Sequence, residues 1–294
     1  MARIVVITHR HDRLRAFSLR SLGFRGRYLV HDILRELRSR GHETIVQHGI
    51  ASQPLEGDAA ILHVDTTITP QDYIAFAATF PRCINIGVTD ISKSRISGAV
   101  LNAGDAWNGP VIVKSNANFG GRPEARLNRL ARKHGEPEPF PGISDVSGYD
   151  IFDHLDRVPP RCFEDPALVV ERFIPEPDPD GYGLRFWVFC GEAERCNRFV
   201  SDRPILKGSS VVRWEPVEVP DELRALRRNL GFDYGKFDFV IHEGRPVLLD
   251  ANKTLGRPRH MEKAYMPEIV RFASGLEGLI ASPVRDGSSV ADIS

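Results

Sequence analysis

Apolar residues in the first part of the chain alternate between short continuous runs and a stripe with helical spacing. Arg3 to Thr8 is a β-rich run, and the helical stripe that follows ends at Gly41. Because Glu43 to Gln47 returns to the composition of a strand, this part of the chain predicts a β-α-β unit. The stripe consists of Leu29, Val30, Ile33, Leu34 and Leu37.

A second unit of the same kind follows directly. Ala59 to His63 has the pattern of a buried strand, Pro70 stands where a helix begins, and Cys83 to Ile86 is strand-like after Pro81. Two consecutive units predict a small parallel sheet covered by helices, which ends near residue 100.

From Gly109 onward the pattern changes to hairpins and isolated helices, which predicts a mostly antiparallel α+β region. Helical spacing recurs at Asp221 to Leu230 and Glu262 to Leu279, while Pro and Gly mark Gly135 to Gly148 and Pro175 to Gly183 as irregular connections. The predicted strands are Val111 to Lys114, Leu168 to Glu171, Leu184 to Cys190 and Arg195 to Val200.

A hairpin in Gly235 to Thr254 combines an apolar face with a face of acidic and amide side chains. If residues 243 to 245 form its loop, Asp238 lies opposite Asp250, with Asn252 two residues further on the same face. The opposite face is then Phe237, Phe239, Ile241, Val247, Leu249 and Ala251.

Carboxylates directly across a strand pair repel each other, and a bound cation relieves that repulsion. Oxygen ligands without Cys or His suit a hard ion such as Mg²⁺, which takes its remaining ligands from water and phosphates. Asp238, Asp250 and Asn252 therefore predict a metal site in a nucleotide enzyme. The alternatives are a hairpin whose acids face water, or a register shift that separates the two acids.

Composition narrows the class of protein. The 294 residues are 41% hydrophobic and 27% charged, with 39 basic and 39 acidic side chains, so nothing indicates a nucleic-acid partner. We expect a cytoplasmic protein without a membrane partner, because no apolar run approaches the length of a membrane span. Four scattered cysteines predict reduced thiols rather than a zinc site, and ten Arg within residues 1 to 40 could meet an anion.

Lys114 ends a predicted strand and is followed by a loop with Asn118, Gly120 and Gly121. A lysine beside glycines and open backbone N–H groups is typical of phosphate binding, although the order differs from a P-loop. A solvated turn after an edge strand explains the same residues.

Two further segments carry candidate chemistry. The strand that ends in Glu171 runs into a proline-rich bend with Asp178, which could contact adenine and ribose or could be a hinge with surface acids. In the next hairpin, a two-residue turn at residues 191 and 192 would place Arg185 opposite Arg198, a pair suited to hold a phosphoryl group or an acyl phosphate. Single exposed arginines are the alternative.

The order of these segments resembles the ATP-grasp superfamily, whose members include glutathione synthetase, D-alanine:D-alanine ligase and the ribosomal-protein glutamate ligases. The resemblance covers about Asp90 to Gly256. It implies a Rossmann-like pre-ATP-grasp α/β domain with a parallel sheet at 1–104. An ATP-grasp domain follows at 105–282, with α+β subdomains at about 105–175 and 176–282, and then a frayed tail at 283–294.

The resemblance also implies roles for single residues. Lys93 and Lys114 would bind phosphates beside the loop of Asn118, Gly120 and Gly121. Glu171, Phe173 and Ile174 would contact adenine, Asp178 ribose, and Arg185 and Arg198 the transferred phosphoryl group. Asp238, Asp250 and Asn252 would hold Mg²⁺ or Mn²⁺. Because Asp250 stands where the family most often has Glu, the site could hold either one or two ions. The substrate would meet His9, Arg10, Arg257 and Arg259, residues that solvated loops explain equally well.

The implied reaction joins a carboxylate to an amine through an acyl phosphate, with release of ADP and phosphate. The substrates would be a small-molecule or peptide acid and an amine, and a homodimer is compatible with the sequence. Phosphoryl transfer by a small-molecule kinase and a non-catalytic nucleotide-binding module are the alternative functions.

Overall fold

A computed structural model describes residues 1–18, 23–143, 148–206, 210–257 and 265–282. The strands within these residues are β1 (Arg3–Thr8), β2 (Arg15–Ser18), β3 (Gly23–Gly26), β4 (Glu43–His48), β5 (Ala59–Leu62), β6 (Cys83–Ile84), β7 (Val111–Ser115), β8 (Asp150–Phe152), β9 (Leu168–Arg172), β10 (Glu176–Asp178), β11 (Gly181–Cys190), β12 (Ala193–Ser201), β13 (Val211–Pro216), β14 (Tyr234–His242) and β15 (Arg245–Asn252). The helices are α1 (Leu29–Ser39), α2 (Gln71–Ala77), α3 (Lys93–Ile96), α4 (Arg122–Lys133), α5 (Arg161–Glu164), α6 (Asp221–Asn229) and α7 (Met266–Ala281).

The first sheet has the order β4-β1-β5-β6, and its pairs are parallel, as the two β-α-β patterns predicted. Strand β1 is central and its residues Ile4 to Ile7 are fully buried, which explains why they form a continuous apolar run. Helix α1 packs its apolar stripe on one face of this sheet, and α2 belongs to the core on the other face.

The last helix, α7, returns to this first core. Its residues Ile269, Phe272 and Leu276 pack in the same cluster as β1 and α1. Gly275 of α7 lies against β11, where an added Cβ would come within 2.0 Å of the carbonyl oxygen of Cys190. The end of the chain therefore joins the first sheet to the largest one.

The other described strands form three antiparallel sheets, of which the smallest is the β2–β3 hairpin. A three-stranded sheet has the order β8-β7-β9, and a six-stranded sheet has the order β13-β12-β11-β14-β15 with β10 paired to β11. Trp187, Phe189, Phe237 and Phe239 form an aromatic core on one face of the large sheet, and Leu223 of α6 covers them.

Three expectations about these segments were wrong or incomplete. Pro175 to Gly183 is not irregular, because β10 and the start of β11 form a tight hairpin there. Asn118–Gly121 is one turn of 3₁₀ helix that leads directly into α4, a helix that was not predicted. The hairpin of β2 and β3, strand β13 and the short helices α3 and α5 were also not predicted.

The β14–β15 hairpin has a shorter turn and a less regular register than predicted. The turn has two residues, Glu243 and Gly244, both with positive φ, rather than three. A bulge at Leu249 then restores the pairing of Asp238 with Asp250. The shorter turn itself pairs Val247 with Val240 and Leu248 with Phe239, so Leu248, rather than Val247 and Leu249, lies on the aromatic core face.

Within the described residues, no helix has the length and apolar character that crossing a membrane requires. All four cysteines are free. Burial raises the pKa of the thiols of Cys83, Cys190 and Cys196 to about 12, so they stay protonated at neutral pH. The predicted tail at 283–294 lies outside the described residues.

Candidate active site

Four polar residues share one face of the β14–β15 hairpin. Lys236 pairs with Asn252 across the strands, and Asp238 pairs with Asp250. The ammonium group of Lys236 lies 2.9 Å from Oδ1 and 3.0 Å from Oδ2 of Asp238. The sequence prediction missed Lys236, although its position two residues before Asp238 places it on the same face.

The two carboxylates have oxygens suited to a metal ion. Oδ1 of Asp238 and Oδ1 of Asp250 are buried, and in the described residues each has a lysine ammonium nearby, Lys236 at 2.9 Å and Lys93 at 3.3 Å, but no hydrogen bond of good geometry. Burial, together with the charge of Asp250, raises the pKa of Asp238 despite the nearby ammonium of Lys236. No group of three or more His, Cys, Asp or Glu side chains in the described chain could hold a metal. Two carboxylates and an amide still fit Mg²⁺, which leaves positions for phosphate and water.

Two lysines face this acidic pair. Lys93 of α3 lies 3.3 Å from Oδ1 of Asp250 and donates to the carbonyl of Ala117 at 2.9 Å. Lys114 of β7 lies 2.7 Å from Oε2 of Glu171 and 3.4 Å from the carbonyl of Leu249. Both predicted phosphate ligands therefore lie where the small and the large antiparallel sheets meet.

Glu171 is almost fully buried beside Lys114. Burial raises the pKa of Glu171, and the Lys114 ammonium opposes that shift. Its Oε1 accepts no hydrogen bond from the described residues. An acceptor in this position could serve an adenine amino group, and this role of Glu171 stays a prediction.

An apolar cluster adjoins Glu171 and the acidic pair. Ile174 packs with Ala99 and Val240, and the backbone N–H of Phe173 donates to the carbonyl of Pro110 at 2.9 Å. The partly buried members of the cluster include Leu184, Val247 and Leu249. The two-residue turn pairs Val247 with Val240 and so places Val247, with the bulge residue Leu249, beside this cluster. The corrected register therefore creates an apolar surface suited to a flat ring.

The predicted loop of Asn118, Gly120 and Gly121 is hydrogen-bonded to the segment between β5 and α2. The backbone N–H of Asn118 donates to the hydroxyl of Thr67 at 2.8 Å. Phe119, Gly120 and Gly121 have positive φ, and the Phe119 side chain is 65% exposed. This turn presents an aromatic ring at the start of α4.

The two arginines of the β11–β12 hairpin are paired across the strands, as predicted, but an anion of the chain lies between them. Glu176 of β10 accepts from Arg185 at 2.9 Å through two nitrogens and from Nε of Arg198 at 2.5 Å. Asp178 accepts from Arg198 at 2.6 Å and from Arg213 at 2.7 Å. The phosphoryl-binding role of both arginines stays a prediction.

The carboxylates of this network are held ionised. The pKa of Asp178 is lowered to about 2 by the backbone N–H of Asp180 and by Arg198. Burial works against ionisation of Glu176, but hydrogen bonds from Arg185, Ile241 and Arg198 outweigh it and lower its pKa. Since its carboxylate is engaged with arginines, Asp178 is not open to a ribose in this structure, and that role also stays a prediction.

A cavity of about 560 Å³ lies on the other side of Asn252. Five arginines from three distant segments line it, against a single carboxylate, Asp65. Asn252 and Thr254 form part of its wall, so the cavity borders the metal-site face. The five arginines are Arg27, Arg122, Arg126, Arg129 and Arg257.

Of the three predicted substrate residues that the structure describes, Arg257 alone lines this cavity, where it also donates to Asp32 at 2.6 Å. His9 is buried and stacks on Tyr73, and Arg10 pairs with Glu136. Neither lines the cavity. Arg259 lies outside the described residues.

The arginines of α4 were missed, although a signal was present. Arg122, Arg126 and Arg129 recur at helical spacing, which places them on one face of a helix. The glycines before them were interpreted as part of an open loop, so the helix itself was not predicted. Tyr28 and Asp65 gave no comparable signal.

The floor of the cavity is a buried polar network. The hydroxyl oxygen of Tyr28 lies 2.7 Å from Oδ2 of Asp12 and 2.8 Å from Oδ2 of Asp65. Arg126 donates to Asp12 at 2.8 Å and to the Tyr28 oxygen at 3.1 Å. The hydroxyl of Thr254 donates to Oδ1 of Asp65 at 2.6 Å.

Comparison with known proteins bears on the fold. No protein-family model matches the sequence, and no curated protein matches it. Among solved structures, the chain is similar to the ATP-grasp ligase PsnB complexed with a minimal precursor (TM-score 0.53, 12% identity), with 94% of this chain and 98% of that chain covered. It is also similar to a RimK domain protein ATP-grasp from Sphaerobacter thermophilus, with a TM-score of 0.51 and 14% identity. That comparison covers 94% of this chain and 100% of that chain. A third similar structure is macrocyclase MdnC, bound with precursor peptide MdnA, from Microcystis aeruginosa, with a TM-score of 0.50 and 12% identity. It covers 94% of this chain and 99% of that chain. At these identities the likeness shows a shared fold.

Proposed function

Because the chain has the ATP-grasp fold, we propose that it is an ATP- and Mg²⁺-dependent ligase that joins a carboxylate to an amine through an acyl phosphate. The observation that carries this proposal is the position of the β14–β15 acidic face. Lys93 and Lys114 face it from one side, and its Asn252 borders the arginine-lined cavity on the other. A nucleotide and an anionic substrate can therefore meet at one point.

On the nucleotide side, the apolar cluster around Ile174 would hold adenine, with Glu171 at its edge. Lys93 and Lys114 would neutralise the phosphates, and Asp238, Asp250 and Asn252 would hold the metal. When bound, Mg²⁺ supplies charge that offsets the repulsion between the phosphates and an incoming carboxylate. The lysines contribute to the same end and hold the nucleotide in line.

On the acid side, the arginine-lined cavity would bind the substrate carboxylate. Guanidinium groups recognise carboxylates through paired hydrogen bonds, and a cavity of about 560 Å³ has room for a small acid or the end of a peptide. PsnB was solved with a minimal precursor and MdnC with a precursor peptide, which supports a search that includes peptide acids.

The test is release of ADP in the presence of a panel of small and peptide acids, each with and without amines. A ligase yields an amide, and hydroxylamine traps its acyl phosphate as a hydroxamate. A kinase yields a stable phosphorylated acceptor, and a binding module releases no ADP. Either of the last two results would overturn the proposal.

Variants of the metal face sharpen the test. We expect Asp238→Asn and Asp250→Ala to abolish ADP release while thermal unfolding stays cooperative, because neither side chain belongs to the aromatic core. The control is Asp221→Asn, which removes a fully exposed carboxylate at the start of α6. Wild-type turnover in both metal-face variants would contradict the assignment.

A further inference from the structure

The buried network of Tyr28, Asp12 and Asp65 on the cavity floor has one hydrogen fewer than its close oxygen–oxygen contacts require. A phenol carries a single hydrogen, yet the Tyr28 oxygen lies within 2.8 Å of one oxygen from Asp12 and one from Asp65. With both carboxylates ionised, one of these two contacts brings together two acceptors without a hydrogen between them. Adding one proton to the trio converts that contact into a hydrogen bond.

The surrounding charges decide which group takes the proton. Burial acts to raise the pKa of Asp12, but Arg126 outweighs it and the pKa is lowered. Burial and the two carboxylates raise the pKa of Tyr28, so the phenol keeps its own hydrogen. Arg126 is 2.8 Å from Asp12 and 3.5 Å from Asp65. Asp65 is therefore the carboxylate with the longer cation contact.

The other titratable neighbours do not supply that proton. His63 packs edge-on against Tyr28 at 4.9 Å, and its ring nitrogens have no hydrogen-bond partner among the described residues. Burial lowers the pKa of His63, which keeps the ring neutral. Lys253 is buried and donates to Thr69, and the charge of Asp65 acts on it only through space.

Asp65 also stands apart from the other residues of the cavity by its charge. Among the described residues that line the cavity, it is the sole carboxylate, and the other charged ones are arginines. Asp12, Asp65 and Arg126 together carry one net negative charge. Within the cavity, this floor is the place that favours a cation, whereas the arginine-lined wall favours anions.

The floor is connected to the metal face by one residue. Thr254 donates its hydroxyl to Asp65 at 2.6 Å, and its backbone N–H donates to Oδ1 of Asn252 at 2.7 Å. A group bound at Asp65 therefore lies one residue away from the proposed metal ligand, on the cavity side where the acyl phosphate would form.

We infer that Asp65 binds the ammonium group of the amine substrate and takes its first proton. This inference rests on the proposed ligase function. The neutral nitrogen then attacks the acyl carbon, the C–N bond forms, and the C–O bond to phosphate breaks with its electron pair leaving on phosphate. Of the two protons that the nitrogen loses, the first goes to Asp65 and the second leaves with the phosphate.

The experiment compares two nucleophiles that differ in their need for a base. Hydroxylamine is largely neutral at neutral pH, whereas the α-amino groups of the twenty protein amino acids are largely protonated. With the acid that gives most ADP release, hydroxamate and amide are quantified for wild type, Asp65→Asn and the control Asp58→Asn. Asp58 lies beside β1, where it accepts from the backbone N–H of Arg3, and it does not line the cavity.

We expect Asp65→Asn to lower amide formation by about 100-fold and to leave hydroxamate formation within about threefold of wild type. The Asn variant should recover amide formation as the pH rises toward the pKa of the amine, because unprotonated amine then needs no base. Asp58→Asn should match wild type in both products.

Equal loss of both products, or loss of neither, would overturn the role of Asp65 while leaving the ligase function intact. A wild-type protein that forms neither product with any acid would instead refute the ligase function. If circular dichroism shows that Asp65→Asn is unfolded, Asp65→Glu replaces it, since this variant keeps a carboxylate and displaces it by one methylene. A wild-type ratio of amide to hydroxamate in Asp65→Glu at every pH would also overturn the inference.

Discussion

Glu176 offers the sharpest test of how the two paired arginines are held. Its carboxylate accepts from Arg185, from Arg198 and from the backbone N–H of Ile241, and only 10% of the side chain is exposed. Glu176→Gln keeps the size and one carbonyl oxygen but removes the charge. The amide can still accept from Ile241 and one guanidinium, while its NH₂ group faces the other guanidinium.

The expected loss follows from this count. About two charge-assisted hydrogen bonds are lost, each with a net contribution of roughly 1.5–3 kcal/mol. Asp178 remains against Arg198 and offsets part of the loss. We therefore expect the free energy of unfolding to fall by about 3 kcal/mol, measured by urea denaturation with tryptophan fluorescence.

The matched control is Glu215→Gln. Glu215 contacts the same Arg198 guanidinium at 3.2 Å, but 46% of its side chain is exposed, so its loss should cost less than about 1 kcal/mol. If Glu176→Gln destabilises no more than Glu215→Gln, Glu176 is not the anion that holds the arginines. These arginines would then be available to a phosphoryl group.

The pH dependence of the same variant has a defined sign. The pKa of Glu176 is lowered in the folded protein, so its ion pairs stabilise fully at pH values above the ordinary glutamate pKa of about 4.3. That contribution is lost as the pH falls through the lower pKa of the folded state. The difference in unfolding free energy between wild type and Glu176→Gln should therefore shrink below about pH 4. A difference that grows in acid would refute the assignment.

Three further outcomes are expected. Lys114→Met should weaken ATP binding at least about tenfold in calorimetry, since it removes a phosphate ligand and leaves buried Glu171 without its cation; unchanged affinity would argue against the role. Gly275→Ala should lower the free energy of unfolding by about 2 kcal/mol, because the added Cβ would lie 2.0 Å from a carbonyl oxygen of β11. The control Gly278→Ala has open space around it, so its free energy of unfolding should rise by up to about 1 kcal/mol. Burial lowers the pKa of His9 to about 4, so about 3 kcal/mol of stability should be lost as the pH falls from about 6.5 to about 4; unfolding titrations of His9→Gln should show a smaller loss.

The sequence determined by itself those features that depend on neighbours along the chain. Alternation and helical spacing gave the parallel sheet, α1 and the long antiparallel strands, because a strand or helix exposes its periodicity directly. The two-residue turn at Gly191 and Glu192 set the register that pairs Arg185 with Arg198.

The acidic pair of the β14–β15 hairpin shows how local inference can reach a correct contact through a wrong intermediate. The three-residue loop and the regular register were both wrong, and the bulge at Leu249 compensated for the shorter turn. Neither the turn length nor the bulge has a reliable signature in a hairpin of alternating apolar residues, so only the structure revealed that Val247 and Leu249 pack beside Ile174 and Val240.

Only the tertiary structure decided which groups the charged side chains meet. No local pattern indicated that Glu176 would lie between two arginines, or that Arg27, Arg126 and Arg257 would line one cavity with Asp65. The partner of a charged group depends on how separate sheets and helices dock, and that docking is set by burial across the whole core rather than by local spacing. Periodicity therefore determined the elements and the acidic face, and docking decided what surrounds them.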